Sequence, residues 1–459
     1  MINFSDLSFI FRFLPAFLLV YYIVPIGMRA YITVIGSLIF YAVGDIKSLW
    51  IFLASIVVNY LFSLKCQERK KAFLFVIVLF DAGLLVFYKL IAQRIGLIVP
   101  VPLGISFFTF KMISFQADLY KGRIKKRPRF METLLYFSLF PQVISGPIMR
   151  FEDAEKNKVI TGIEDRFLLF RDRFSKNFDK VEEGLSIFVM GFAMKVLLAD
   201  YLAMMWNEIG TIGYESISTP LAWAGVVCYS LELYFDFWGY SLMASGIAVA
   251  MGYPFIINFN HPYSAKGVGD FYRKWHVTLG TWFRDYIYIP MGGSKKGSLR
   301  TIFNLCVVWF LTGLWHGVTL NFLLWSGCLL VLIILEKYLW VHIPKVKDFV
   351  GKVHVLFFIP ITWVIFAIPN HNDLVNYLCR LFPVLGDRNY INPGDFDKIV
   401  GNYFFFLLIG MILLVPRIFD YVFKNRRNWF VRLFLLILFW ICAVFVSGKA
   451  GNPFLYFSF

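Results

Sequence analysis

The sequence predicts an all-α polytopic membrane protein of roughly ten to thirteen transmembrane, re-entrant and interfacial helices, arranged as a single domain over residues 1–459. Three observations carry that reading. Hydrophobic residues make up 59% of the chain and charged residues only 16%, against about 45–50% and about 25% in soluble domains. Apolar runs recur at lengths that reach or approach the roughly 20 residues needed to cross a bilayer as a helix. The charges between these runs gather in short basic loops, as the positive-inside rule expects of cytoplasmic connections. That placement also accounts for the net charge of +16. The basic residues meet lipid headgroups rather than nucleic acid.

The first run, residues 7–24, follows Asp6 and lacks the basic start of a cleavable signal, so it should stay as a span. Residues 30–43, 49–64 and 72–91 follow as spans. The loop KCQERKK (65–71) is basic and therefore cytoplasmic, which puts the N-terminus outside. The segment 101–119 returns the chain to a second basic cluster, KGRIKKRPR (121–129), on the same side. Prolines and glycines at Pro100, Pro102, Gly104, Pro141, Gly146 and Pro147 interrupt this region. Such breaks survive at membrane depth only when buried in protein or lining a cavity. Residues 150–183 alternate Phe and Leu with Arg, Asp and Lys, a pattern for helices lying in the interface.

Spans resume at 187–203 and 221–250, the second long enough to tilt or bend at Gly239. From 255 to 297 the chain is too polar to span and too aromatic for a free loop, which fits an interfacial or re-entrant element. Residues 301–335 hold two apolar runs with His316 at the turn between them, both ends cytoplasmic. Residues 357–368 lead out to a polar loop at 369–401, residues 404–415 return to a basic cluster at 424–427, and 431–446 form the last span. The tail from 448 to 459 is then extracytoplasmic.

Six cysteines are scattered without paired short spacing, so neither a disulfide framework nor a zinc site is expected. Of the six histidines, His342 and His371 lie in loops and His354 at a span boundary, where solvated or capping roles suffice; His261 precedes Pro262 in a turn and reads as structural. His276 and His316 differ. Each follows a tryptophan, one in the aromatic-basic segment and one in the membrane, where an ionisable group is costly unless it has a partner or a cavity. Neither belongs to an HExxH or i, i+4 zinc pair. An imidazole, with a reference pKa near about 6.5, suits a general base. No GxSxG nucleophile elbow occurs, so an acyltransferase built on this chain works without one. Asp236 and Glu232 are intramembrane acids that must be paired or face water, and Asp236 is placed to orient a histidine or to bond a helix end. Asp81 reads as structural. Trp315 and Arg273, beside the two histidines in sequence, complete the supporting candidates.

The stretch from Phe255 to Gly293, which contains FYRKWHVTLGTWFRDYIYIPMGG, and the triplet Trp315-His316-Gly317 resemble the membrane-bound O-acyltransferase family, in its bacterial alginate O-acetylation branch. PLGISFFTF (102–110), FPQVISGP (140–147) and YFDF with GYS (234–237, 239–241) extend the resemblance across most of the chain. It departs from the family pattern at Trp238, Leu242 and Gly280, which alter the lining of the site but leave both histidines in place.

The resemblance implies helices around a central channel or funnel in a bacterial cytoplasmic (inner) membrane. It makes His316 the intramembrane catalytic histidine and His276 the second, more polar one. The ending FLYFSF (454–459) matches an F-x-Y-x-x-F pattern of envelope-acylation systems, in which the Tyr456 hydroxyl is implied to accept the acyl group before relay; an aromatic interface anchor is the plainer alternative. No bound cofactor is implied. The donor would be acetyl-CoA or an acyl carrier protein thioester, with a cytoplasmic carrier and an extracytoplasmic SGNH-type acyltransferase as partners, alongside membrane lipids. D-alanyl transfer towards teichoic acid is the alternative within the class. A transporter or lipid-linked flippase using Asp236, Glu232 and His316 as a path is the alternative from another class.

Overall fold

The computed structural model describes residues 3–68, 70–91, 100–155, 170–385 and 392–448, and every regular element among them is a helix. Nine of these helices are long and apolar enough to cross a bilayer, from Ile26–Asp45, Leu49–Cys66 and Lys71–Lys89 to Asp395–Leu413 and Trp429–Ser447. A shorter apolar helix, Phe9–Ile23, precedes them, and the 32-residue helix Thr219–Ala250 lies mid-chain. Inside a bilayer a helix satisfies its own backbone groups, which is why so apolar a chain resolves into helices throughout. Only 11% of the apolar window of Lys71–Lys89 and of Asp395–Leu413 is buried within the protein, so their large side chains turn to lipid. This is a multi-pass, all-α membrane protein.

The described residues form two compact units, one from residues 3–192, 240–257 and 426–448, the other from residues 193–239 and 258–425. In the first, the glycine-proline breaks have a packing purpose. Gly104 sits at φ +70°, and a Cβ there would lie 2.1 Å from the Val143 carbonyl oxygen. Only glycine lets the start of Ile105–Tyr120 meet the short helix Phe140–Val143. Lys111 in that helix is buried, donating to the Tyr136 carbonyl and to Gln142 Oε1. Asp81 is structural as expected: Asn59 Nδ2 donates to its Oδ1 at 2.9 Å, and Gln116 Nε2 donates to Asn59 Oδ1 at 3.0 Å.

Several elements differ from the sequence reading. The charged stretch after 150 begins with the short helix Phe151–Glu155, but from Phe170 it is one helix running to Ala193 and on without interruption to Ile212, rather than separate interfacial pieces. The polar loop at 369–401 contains an amphipathic helix, His371–Leu381, capped by Asn370, whose Oδ1 accepts from the Asn372 and Asp373 amides. The span after it begins at Asp395. The span placed at 357–368 runs from Val346 to Ala367. His354 therefore lies inside a helix, buried, instead of capping or solvated at an end.

Candidate active site

Both singled-out histidines belong to the second unit. His316 is the last residue of the helix Ser298–His316, and Leu320–Tyr338 starts after a three-residue turn, as the sequence pattern placed it. The two helices touch closely: a Cβ on Gly313 would lie 2.4 Å from Ser326 Oγ and 2.9 Å from the Phe322 carbonyl oxygen. That approach fixes the imidazole against aromatic rings. Trp315 lies 4.5 Å away by centroid, Phe366 4.9 Å, Trp325 5.1 Å and Phe322 5.9 Å, and His316 keeps 6% of its surface.

His276 is held differently. The segment 255–297 folds as short helices, Val268–Lys274 and Val277–Phe283, joined through Trp275 and His276. Two backbone bonds strap this junction to an earlier loop, Val277 N to Asn258 O at 2.8 Å and Asn260 N to Lys274 O at 2.9 Å. His276 itself sits in the left-handed region, at φ +45°. Such a conformation costs a non-glycine residue about 1–2 kcal/mol and persists only where its surroundings enforce it. Here Asn258 enforces it. The Asn258 Oδ1 accepts from Thr278 N at 3.3 Å and Thr278 Oγ1 at 2.8 Å, and lies 3.2 Å from His276 Nδ1. A backbone amide can only donate, so the Asn258 atom it meets is the oxygen, and His276 Nδ1 must carry the proton. The lone pair is then on Nε2. Burial pushes the His276 pKa down to about 3, so the ring is neutral across the physiological range.

A series of ring contacts connects the two histidines. Phe237 meets His276 edge-on at 4.7 Å, and Phe259, Trp275, Trp363 and Trp325 continue the contact series to His316. Val268–Lys274 is pinned by Glu336, which accepts from Val268 N at 2.7 Å and from His354 Nδ1 at 2.9 Å. His261, at φ +50°, bonds Asp420 through Nε2 at 3.0 Å, consistent with its structural reading.

The supporting candidates separate. Trp315 stays with His316. The Arg273 side chain is 72% exposed and pairs with Asp270 at 3.3 Å, so it belongs to the surface. Asp236 is buried and lies 2.7 Å from Lys195 Nζ, which also reaches Asp200 at 2.7 Å. Its ion pair is with that lysine, and Asn258 is the side chain seen orienting His276. Glu232, one turn before Asp236, is buried beside this group. Tyr456 lies outside the described residues. Sequence reasoning missed Lys195 and Asn258. A lone lysine in the apolar run 187–203 was the signal for the first; an asparagine offers no titratable signal for the second. Among the described residues no cluster of His, Cys, Asp and Glu could hold a metal ion.

The membrane-bound O-acyltransferase family profile matches residues 34–372, a span that includes both histidines and the rings that link them. The chain belongs to this family. It is an O-acyltransferase. It is 32% identical to the probable alginate O-acetylase AlgI of Pseudomonas aeruginosa, over 80% of this chain and 72% of that protein. It is 27% identical to the peptidoglycan O-acetyltransferase of Helicobacter pylori, over 99% and 97%. It is 30% identical to the teichoic acid D-alanyltransferase of Bacillus subtilis, over 49% and 56%. Family membership decides for an enzyme over a transporter or flippase.

Proposed function

We propose that this O-acyltransferase takes an acetyl group from a cytoplasmic thioester, acetyl-CoA or an acyl carrier protein, and passes it outward for O-acetylation of an extracellular or cell-wall polysaccharide. His316 acts as general base. It removes the proton from the Tyr456 hydroxyl as the oxygen attacks the thioester carbonyl carbon. The C–O bond forms, the C–S bond breaks with its electron pair on sulfur, and the proton passes to the departing thiolate. An extracytoplasmic SGNH-type acyltransferase then moves the acetyl group from the tyrosine to a polymer hydroxyl. His276, neutral and with its Nε2 lone pair set by Asn258, serves the same transfer as the second histidine.

The observation that carries this reading is the buried His316 at the end of its helix, enclosed by four aromatic rings, in a chain matching the acyltransferase family. The basic loops support the orientation. By the positive-inside rule they favour cytoplasmic ends for the hairpin and an extracytoplasmic side, in a bacterial inner membrane, for the tail 448–459. The decisive variant is Tyr456→Phe, which keeps an aromatic anchor and removes only the hydroxyl. Polymer acetylation in cells should be abolished; undiminished acetylation would rule out the relay. The match to a teichoic acid D-alanyltransferase supports D-alanyl transfer as a second reading. Supplying acetyl and D-alanyl thioesters separately and following thiol release distinguishes the two.

A further inference from the structure

Two buried polar atoms on Leu320–Tyr338, beside His316, have no hydrogen-bond partner among the described residues. Trp325 is 2% exposed and its indole Nε1 meets no acceptor; Asn321 is 3% exposed and its Oδ1 meets no donor. The Asn321 amide is oriented from its other end. The Phe366 carbonyl can only accept, so the atom 2.8 Å from it is Nδ2, and Oδ1 points elsewhere. Residues four apart share one face of a helix, so both side chains leave the same side of Leu320–Tyr338, and both meet Phe366, Asn321 at its carbonyl and Trp325 at its ring. Trp325 and Phe322 of this helix pack against His316, at centroid distances of 5.1 and 5.9 Å. The Trp325 ring stands at 88° to the imidazole, and Phe322, next to Asn321 in sequence, is inclined at 29° to it.

Buried polar atoms are almost always paired, because an orphan gives up its water for nothing. A structural account could rest the Trp325 N–H on a neighbouring ring such as Phe366, whose centroid is 5.1 Å away. It leaves Asn321 Oδ1 unexplained. One group able to accept and to donate would satisfy both atoms, and a hydroxyl is the smallest such group.

We infer that Trp325 Nε1 and Asn321 Oδ1 form the seat of the hydroxyl that accepts the acyl group. This rests on the acyl-transfer reading with His316 as base and adds the acceptor's subsite to it. Before reaction the indole N–H donates to the hydroxyl oxygen, and the hydroxyl donates to Asn321 Oδ1. On attack the hydroxyl turns its single proton from Asn321 Oδ1 to His316, and the indole N–H, still on the oxygen, stabilises the negative charge growing there. That oxygen bonds to the acyl carbon, the C–S bond breaks, and the proton returns from His316 to the thiolate.

The test uses Trp325→Phe, which keeps a ring and loses the N–H, Asn321→Leu, and the double variant. Each is made in the full chain and compared at equal amounts of folded protein. Thiol release from acetyl-CoA is measured in nanodiscs, and envelope ester content is measured in cells, where the natural donor is present. Each single variant should lower kcat about tenfold with donor KM within about twofold. The double variant should fall little further, because both groups hold one hydroxyl. Rates and ester content within about twofold of the parent for both singles would overturn the seat. So would a raised donor KM at unchanged kcat, which would put the pair on the donor. Failure of the underlying reading looks different: His316→Ala would retain full thiol release. If Tyr456→Phe alone left release unchanged while Trp325→Phe lowered it, the seat would stand with another alcohol as acceptor.

Discussion

Replacing Lys195 by Met should destabilise the second unit severely while leaving both histidines intact. The Lys195 ammonium is 3% exposed and lies 2.7 Å from both Asp200 and Asp236. Methionine fills similar space but leaves the Asp236 carboxylate, 4% exposed, with its ion pair removed. Glu232, whose Oε2 already has no hydrogen-bond partner among the described residues, loses the nearby positive charge. Removing one partner of a buried ion pair costs about 3–5 kcal/mol, because the other charge stays buried. Asp236→Asn should cost less, about 1–2 kcal/mol, since Lys195 keeps Asp200. The double change Lys195→Met with Asp236→Leu should recover part of the single-lysine loss, as replacing a whole buried pair is often neutral. Unfolding followed by tryptophan fluorescence in a graded series of denaturing detergent reads all three. A Lys195→Met protein within about 1 kcal/mol of the parent would refute the reasoning that this lysine neutralises buried acids.

Other outcomes follow from the site. Asn258→Ala removes the acceptor that sets the His276 tautomer, so kcat should fall about 10- to 100-fold with donor KM little changed, read by steady-state thiol release. The His276 pKa of about 3 lies below the unfolded value of about 6.5. The unfolded chain therefore takes up the proton first, and this contribution to stability is present above about pH 6.5 and lost as pH falls towards 3. Detergent unfolding of parent and His276→Gln at pH 7.5 and pH 5 should show the smaller acid loss in the variant. Gly313→Ala drives a Cβ into Ser326 Oγ and the Phe322 carbonyl. It should cost about 1–3 kcal/mol and lower transfer by displacing His316, measured by unfolding and by ester content.

The sequence was most readable where apolar length alone decided. The two runs flanking His316 were placed at 301–335, and the helices are Ser298–His316 and Leu320–Tyr338. It was less readable where polarity and burial diverged. The helix His371–Leu381 buries Leu374, Tyr377, Arg380 and Leu381 along one side, but its polar side made the stretch look like loop. His354 was misplaced because Lys352 broke the hydrophobic run, whereas the helix continues past it and the imidazole bonds Glu336. At the site, titratable groups announced themselves and their supports did not. His276 and His316 stood out as ionisable rings among tryptophans. The left-handed backbone of His276 and the Asn258 contact that enforces it arise from chain segments brought together only by folding.

The central claim is that His316 moves an acyl group onto the tyrosine of the C-terminal tail. The most direct measurement is mass spectrometry of the intact C-terminal peptide from membranes supplied with thioester, in the parent and in His316→Ala. An acyl adduct on Tyr456 should appear in the parent and not in the variant. An adduct that persists without His316, or a parent that turns over while Tyr456 stays unmodified, would contradict it.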